Sequence, residues 1–322
     1  MSDPPIFNIK DSDITKEGWR VFTRSAPISR AFNHLIAGTH FEQKFGRWPL
    51  SPHDPAASIN DLIVARMIDP RWSALQRRFV DKRTAKAEAR RLHSALRVPE
   101  TLAIIPMASV QSIDHLYEML QPFIGTNTIA KPSHASGGTV FLRDVTSMAD
   151  LSTIHELAGL DYAPIMREMQ YWRLSRNIIV EAMIPAAGAL PPVDYKFHCI
   201  HGEPLMCQVD HGRFGAPWSR VLRVPSFEPM DADDGLVPPE QYMLPDPGRL
   251  AAMTAAARAL AAPFDYVRVD LYDGLDGVYF GELTFTPAAG LGIAPSAAGC
   301  HRETPTHRKY SRTLMTAFRR LR

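Results

Sequence analysis

The sequence predicts an α/β protein of two or three lobes. Its 322 residues can bury a large core and exceed the usual size of one domain. Segments with the two-residue alternation of strands are interleaved with segments whose apolar residues recur every three or four positions. The composition, 45% hydrophobic and 22% charged, is that of a folded globular chain.

Residues 1–75 are mixed. Within them Ile59, Leu62, Ile63 and Met67 predict a helix over 58–67, with Ser58 placed to cap it. A second helix, over 81–96, carries Ala85, Ala89, Leu92 and Leu96 on one stripe. Its other faces are strongly basic through Lys82, Arg83, Lys86, Arg90 and Arg91, the pattern of a solvated surface. A strand at 102–105 precedes a helix bearing Ile113, Leu116, Tyr117 and Leu120. Residues 128–131 form a strand that enters the loop Pro132-Ser-His-Ala-Ser-Gly-Gly138, followed by a strand at 139–142, a helix near 148–157 and a strand at 177–183. By composition 185–192 is a linker, and 194–200 with 205–210 make a hairpin around His201-Gly-Glu-Pro204. Residues 222–248, rich in Pro and Asp, read as a long surface loop. A helix over 249–262 turns Leu250, Met253, Ala257 and Leu260 inward, and the basic stretch from His307 ends as a helix.

The last hairpin says most about function. Tyr266-Val-Arg-Val-Asp-Leu-Tyr272 and Val278-Tyr-Phe-Gly-Glu-Leu-Thr284 both alternate, and Asp273-Gly-Leu-Asp-Gly277 between them is turn chemistry. Side chains two apart share a strand face, so Arg268 and Asp270 point together, away from Val267, Val269 and Leu271. A fold about Leu275 sets Arg268 across from Glu282, with Asp270 diagonal to it and Thr284 on the same face. One cation, two carboxylates and a hydroxyl then converge on a strand face, which suits Mg²⁺ with its phosphates or, alternatively, a structural ion-pair network. Lys131 ends a strand before a Gly-Gly loop, where main-chain N–H groups can wrap phosphates. The strand ending at Val180-Glu-Ala-Met183 meets the linker, as a hinge that reads an adenine edge would.

These residues, with Phe79-Val-Asp-Lys82, Asp194-Tyr-Lys-Phe-His198 and Phe280-Gly-Glu-Leu-Thr-Phe285, resemble the ATP-grasp superfamily and within it the TupA-like group. The likeness runs in order over 79–292. It implies a two-lobed ATP-grasp fold with a smaller N-terminal region: 1–78 as that region, 79–126 as a linking α/β segment, 127–184 as a small lobe with a phosphate-binding flap, and 185–322 as a large lobe with the metal site. By the resemblance, Lys131 contacts the α- and β-phosphates and Lys82 is a second nucleotide contact. His134, Ser136, Gly137 and Gly138 form the flap, and Glu181 and Met183 bind adenine, largely through backbone atoms. Asp270, Glu282 and Thr284 hold Mg²⁺, Arg268 offsets charge on the transferred phosphoryl group, and Asp194 with Lys196 lines the acceptor side. Most relatives carry asparagine where Thr284 stands, and no acidic ribose contact follows Glu181. The implied activity is ATP- and Mg²⁺-dependent ligation of a carboxylate to an amine through an acylphosphate, with an amino acid, peptide or acidic sugar as substrates. The alternatives are a kinase that phosphorylates a hydroxyl and a non-catalytic nucleotide-binding partner in surface-polymer assembly.

The remaining features bound this reading. A formal net charge of +2 gives no global case for nucleic acid. No apolar run approaches a membrane span, and the start has no basic n-region or apolar h-region, so a cytoplasmic location is expected. Cys199, Cys207 and Cys300 form no disulfide framework, and His198, His201 and His211 fit no zinc spacing.

Overall fold

The computed structural model describes residues 13–186, 192–211, 218–230, 243–292 and 304–320. Cys300, the first residues, the side chain of His211, most of the 185–192 linker and the middle of the 222–248 loop lie outside the described residues. Helices α1 (Asp13–Ser25), α2 (Arg30–Phe45) and α3 (Ile59–Ile68) come first, then α4 (Ala74–Val80) and α5 (Lys82–Leu92). Strands β1 (Thr101–Pro106), β2 (Thr128–Pro132), β3 (Val140–Phe141) and β4 (Asn177–Ala182) make an antiparallel sheet in the order β1-β4-β2-β3. Its outer face, with Ile105, Ala130, Ile178 and Val180, packs on α6 (Ile113–Leu120) and α7 (Ser152–Gly159); the short α8 (Tyr162–Met166) follows.

The second sheet is larger. Strands β5 (Asp194–Ile200), β6 (Glu203–His211), β7 (Trp218–Arg223), β8 (Tyr266–Gly274) and β9 (Gly277–Thr284) run antiparallel in the order β7-β6-β5-β8-β9. Its apolar face, with Tyr195, Phe197, Val267, Val269 and Leu271, is covered by α9 (Pro247–Ala261) and the small side chains of α5. One end of the opposite face, at Ile200, Met206, Val221 and Tyr266, is covered by α3 and α10 (Pro305–Arg320). The rest of that face is polar.

Local chemistry explains most boundaries. Ser58 and Asp61 close a capping box at the start of α3, and Asp246 caps α9 ahead of Pro247. Asp81 ends α4 and caps the start of α5; the helix expected over 81–96 stops at Leu92, where His93 turns extended, and Leu96 is buried beyond it. The strand expected at 139–142 shortens to the two residues of β3, and the helix near 148–157 is a 3₁₀ turn, Met148–Leu151, followed by α7. Five elements were not anticipated: β7, which runs into the 222–248 stretch, and helices α1, α2, α4 and α8. The α2 cap signals, Ser29 before it and Gly46 at φ 69° after it, were legible. From the segment 79–126, β1 joins the smaller sheet.

Candidate functional site

The polar face of the larger sheet forms a floor. One cross-strand row runs Gln208, Lys196, Asp270, Glu282 over β6, β5, β8 and β9. Asp210, Asp194 and Tyr272 flank it on one side, and Met206, His198, Arg268 and Thr284 on the other. The register differs from a fold about Leu275. Gly274 pairs with Gly277, and a bulge at Gly281 advances β9 by one residue. Asp270 therefore lies directly across from Glu282, and Arg268 across from Thr284.

The floor is densely paired; Asp194, Lys196, His198 and Asp270 are buried, while the Glu282 side chain is 43% exposed. Arg268 grips Asp270 as a fork, Nε to Oδ1 at 2.7 Å and Nη2 to Oδ2 at 2.6 Å. The same Nη2 donates to Thr284 Oγ1 at 3.2 Å and lies 3.5 Å from Glu282 Oε1, which accepts from Thr284 at 3.2 Å. Lys196 Nζ pairs with Asp194 and, at 2.7 Å, with Asp210. Burial pushes the Asp270 carboxyl up, against the pull of Arg268, to about 7. Burial acts the same way on Glu282, but Lys82, Arg268 and Lys131 outweigh it and hold that carboxyl below its ordinary range. Lys196 stays charged: burial lowers its amine, and Asp194, Asp270 and Asp210 more than restore it.

The facing wall is built from the smaller sheet and α5. Glu181, fully buried, takes Lys86 Nζ at 2.6 Å on one oxygen and Lys131 Nζ at 2.7 Å on the other. Lys86 also donates to Thr101 on β1 at 2.6 Å. Lys82 Nζ donates to the Ala135 carbonyl at 2.6 Å, and burial lowers its amine while Glu282 across the cleft raises it. Ile104, 48% exposed, shares the cleft-side face of the sheet with Ile179, to which it is paired. The arrangement thus sets lysines on one wall against carboxylates on the other.

Several predicted residues sit otherwise than expected. Ser133, His134 and Ala135, the first half of the flap, are buried, and the His134 ring donates toward the Leu160 carbonyl at 3.2 Å. Ser136 and Gly137 are exposed at its tip, with Gly138 half-buried behind them. In the segment expected to bind adenine, part of the main chain is already engaged. Glu181 lies in the ladder between Thr101 and Ile129, and the Met183 N–H donates to Asn127 O at 3.0 Å. Asp194 and Lys196 form a buried pair in the floor. The basic face of α5 is not all solvated: Lys82 and Lys86 turn into the cleft.

Three residues escaped sequence reading. Lys86 could have been found, one helical turn after Lys82. Asp210 could have been found from the hairpin, which sets it opposite Asp194. Glu168 gave no periodic signal. It is buried in an irregular segment, accepts from Thr286 and, at 2.8 Å, from Tyr162, and burial pushes its carboxyl above the ordinary range. Among the described residues no group of three or more His, Cys, Asp or Glu side chains stands assembled as a metal site.

Two antiparallel sheets facing across a lysine-bearing cleft, with an acidic floor on the last hairpin, define the ATP-grasp fold. The chain belongs to the TupA-like ATP-grasp family, whose model matches residues 72–296, more than two thirds of its length. No curated protein matches it. Among solved structures it is similar to the ATP-grasp ligase PsnB complexed with a minimal precursor, at 12% identity, 76% of this chain and 62% of that one, with a TM-score of 0.36. It is also similar to D-alanine–D-alanine ligase from Bacillus anthracis, at 16% identity over 64% of this chain and 56% of that one, TM-score 0.33. A third is the macrocyclase MdnC from Microcystis aeruginosa MRC, bound with precursor peptide MdnA, at 12% identity, 76% and 62% coverage and a TM-score of 0.35. The chain spans roughly three fifths of the length of these structures.

Proposed function

We propose that the protein is an ATP- and Mg²⁺-dependent ligase that joins a carboxylate to an amine through an acylphosphate, with an amino acid, peptide or acidic sugar as substrates. The observation that carries this is the Lys196–Asp270–Glu282 row facing Lys82 and Lys131, with Glu282 within electrostatic reach of both lysines. ATP would supply the phosphoryl group that gives a carboxylate a leaving group, and Mg²⁺ would offset phosphate charge.

The donor set fits such an ion. Asp270 and Glu282 face each other on adjacent strands, with Thr284 beside them, and all three offer hard oxygen. Lys131 and Lys82 would bind phosphates, and residues 133–138 would exclude water from the reactive acyl group. Arg268, forked and permanently charged, would pair with the transferred phosphoryl oxygens. Lys196, charged among Asp194 and Asp210, would orient the acceptor-side carboxylate. On this reading 127–184 handles the phosphates, 185–322 carries the metal and acceptor groups, and 79–126 contributes Lys82 and Lys86 between them.

The test is a coupled ADP-release screen over amino acids and acidic sugars, with mass spectrometry on the hits. An amide product with free phosphate supports the ligase; a phosphorylated hydroxyl moves the protein to the kinase reading. Asp270→Ala or Glu282→Ala should lower turnover by at least about 100-fold. Turnover that survives both changes with unaltered metal dependence would place the chemistry elsewhere.

A further inference from the structure

The guanidinium of Arg268 stands where a cation is expected. It touches all three oxygen-bearing side chains of the proposed metal set: both oxygens of Asp270, the hydroxyl of Thr284 and, more distantly, Glu282. The side chains of Arg268 and Asp270 are 15% and 4% exposed, so water does not screen the pair. A divalent ion and the guanidinium cannot both sit on Asp270 without strong repulsion. Nor can the guanidinium simply leave, because a buried charge without a partner is costly. It needs an anion to receive it, and phosphate oxygens match the fork as well as a carboxylate does.

The opposite wall supplies the other half of the argument. Lys86 and Lys131 share the one carboxylate of Glu181 and Lys82 rests on the Ala135 carbonyl, a formal surplus of two positive charges. The floor sets Asp194, Asp210, Asp270 and Glu282 against Lys196 and Arg268, a formal surplus of two negative charges. An anion alone satisfies one wall and a cation alone the other.

We propose that Arg268 is an internal counter-cation that closes Asp270 to metal until a phosphate-bearing ligand draws the guanidinium away. Metal and nucleotide then enter as one unit, and the protein has little affinity for free metal. The proposal rests on the nucleotide reading above only for the identity of that ligand.

The full chain is titrated with Mn²⁺, the unbound ion being read by electron paramagnetic resonance, without nucleotide and with ADP. Arg268→Met, which vacates Asp270, should bind Mn²⁺ alone at least about tenfold more tightly than wild type. Arg268→Lys keeps a buried cation but loses the fork, guards against a folding failure of the first variant, and should bind Mn²⁺ alone a few-fold more tightly. If neither variant exceeds wild type, or if wild type already binds Mn²⁺ alone as tightly as Arg268→Met, the proposal is overturned. If ADP binds under none of these conditions, the nucleotide reading fails while the Mn²⁺ comparison still judges Arg268.

Discussion

His198 sits in the floor beside Arg268 and Lys196, and burial first, then those two cations, hold its imidazole down at about 3. The ring therefore binds a proton more readily in the unfolded chain, where its value is near 6.5. The stability this group contributes is complete above pH 6.5 and declines toward pH 3, at up to about 1.4 kcal/mol per pH unit. His198→Gln should flatten the fall of the unfolding free energy over that window, as urea melts at several pH values would show. An identical slope in both proteins would mean that the ring finds a proton in the folded state. Asp61 is a second residue of this kind. Fully buried, it accepts from Arg47 twice at 2.8 Å, from the Leu50 N–H at 2.7 Å and from Ser58. Asp61→Ala leaves those donors unpaired and should cost about 3–5 kcal/mol, measured by chemical unfolding. At this scale the floor was legible: alternation together with the turn between the strands put Arg268, Asp270, Glu282 and Thr284 on one face, though not in the right pairs. Glu168 was not, because its burial comes from contacts across the fold and not from any local period.

The bulge at Gly281 decides which floor residues meet. A Cβ there would lie 2.7 Å from a Tyr272 ring carbon and 2.9 Å from the Asp270 carbonyl oxygen. Gly281→Ala must therefore push β9 away from β8, with a cost of about 1–3 kcal/mol. Because the same shift parts Glu282 from Asp270, metal-dependent turnover should fall more than the loss of folded protein accounts for; a thermal melt and an activity assay on one preparation separate the two. The strands of this hairpin were evident from sequence, but a turn that pairs Gly274 with Gly277 and one skipped residue at Gly281 together change every partner, since register is a property of two strands together. The same limit hid the role of α5. Its apolar stripe was plain, but only the fold shows that Lys82 and Lys86 lean onto the smaller sheet and flap while Ala85 and Ala89 pack against the larger one.

At the scale of the molecule, the helices outside the family match brace the site. Asn60 of α3, fully buried, donates to the Gly290 carbonyl at 2.9 Å and accepts from Ser311 of α10 at 2.9 Å. Gly290 ends a left-handed run with Ala288 and Ala289, at φ 75°, 48° and 51°, and a Cβ on it would meet Val64 at 2.7 Å. Arg167, fully buried beside Glu168, donates to the carbonyls of Thr23 and Ala26 at the end of α1. Asn60→Leu should destabilise the protein by about 1–3 kcal/mol through the unpaired Gly290 carbonyl and Ser311 hydroxyl, as a shift in denaturant midpoint. None of this was legible in residues 1–75, because polar clamps between distant segments leave no periodic trace.

The two walls of the cleft carry opposite and formally equal charge. From a distance such a pair casts almost no field, and the whole chain adds a net charge of only +2. Under the proposed function, a charged nucleotide would therefore gain little guidance on its way in, and its recognition would begin only at contact. Raising ionic strength tenfold should change the association rate of Mg–ADP by less than about twofold, in stopped-flow measurements, where a uniformly basic cleft would slow it far more.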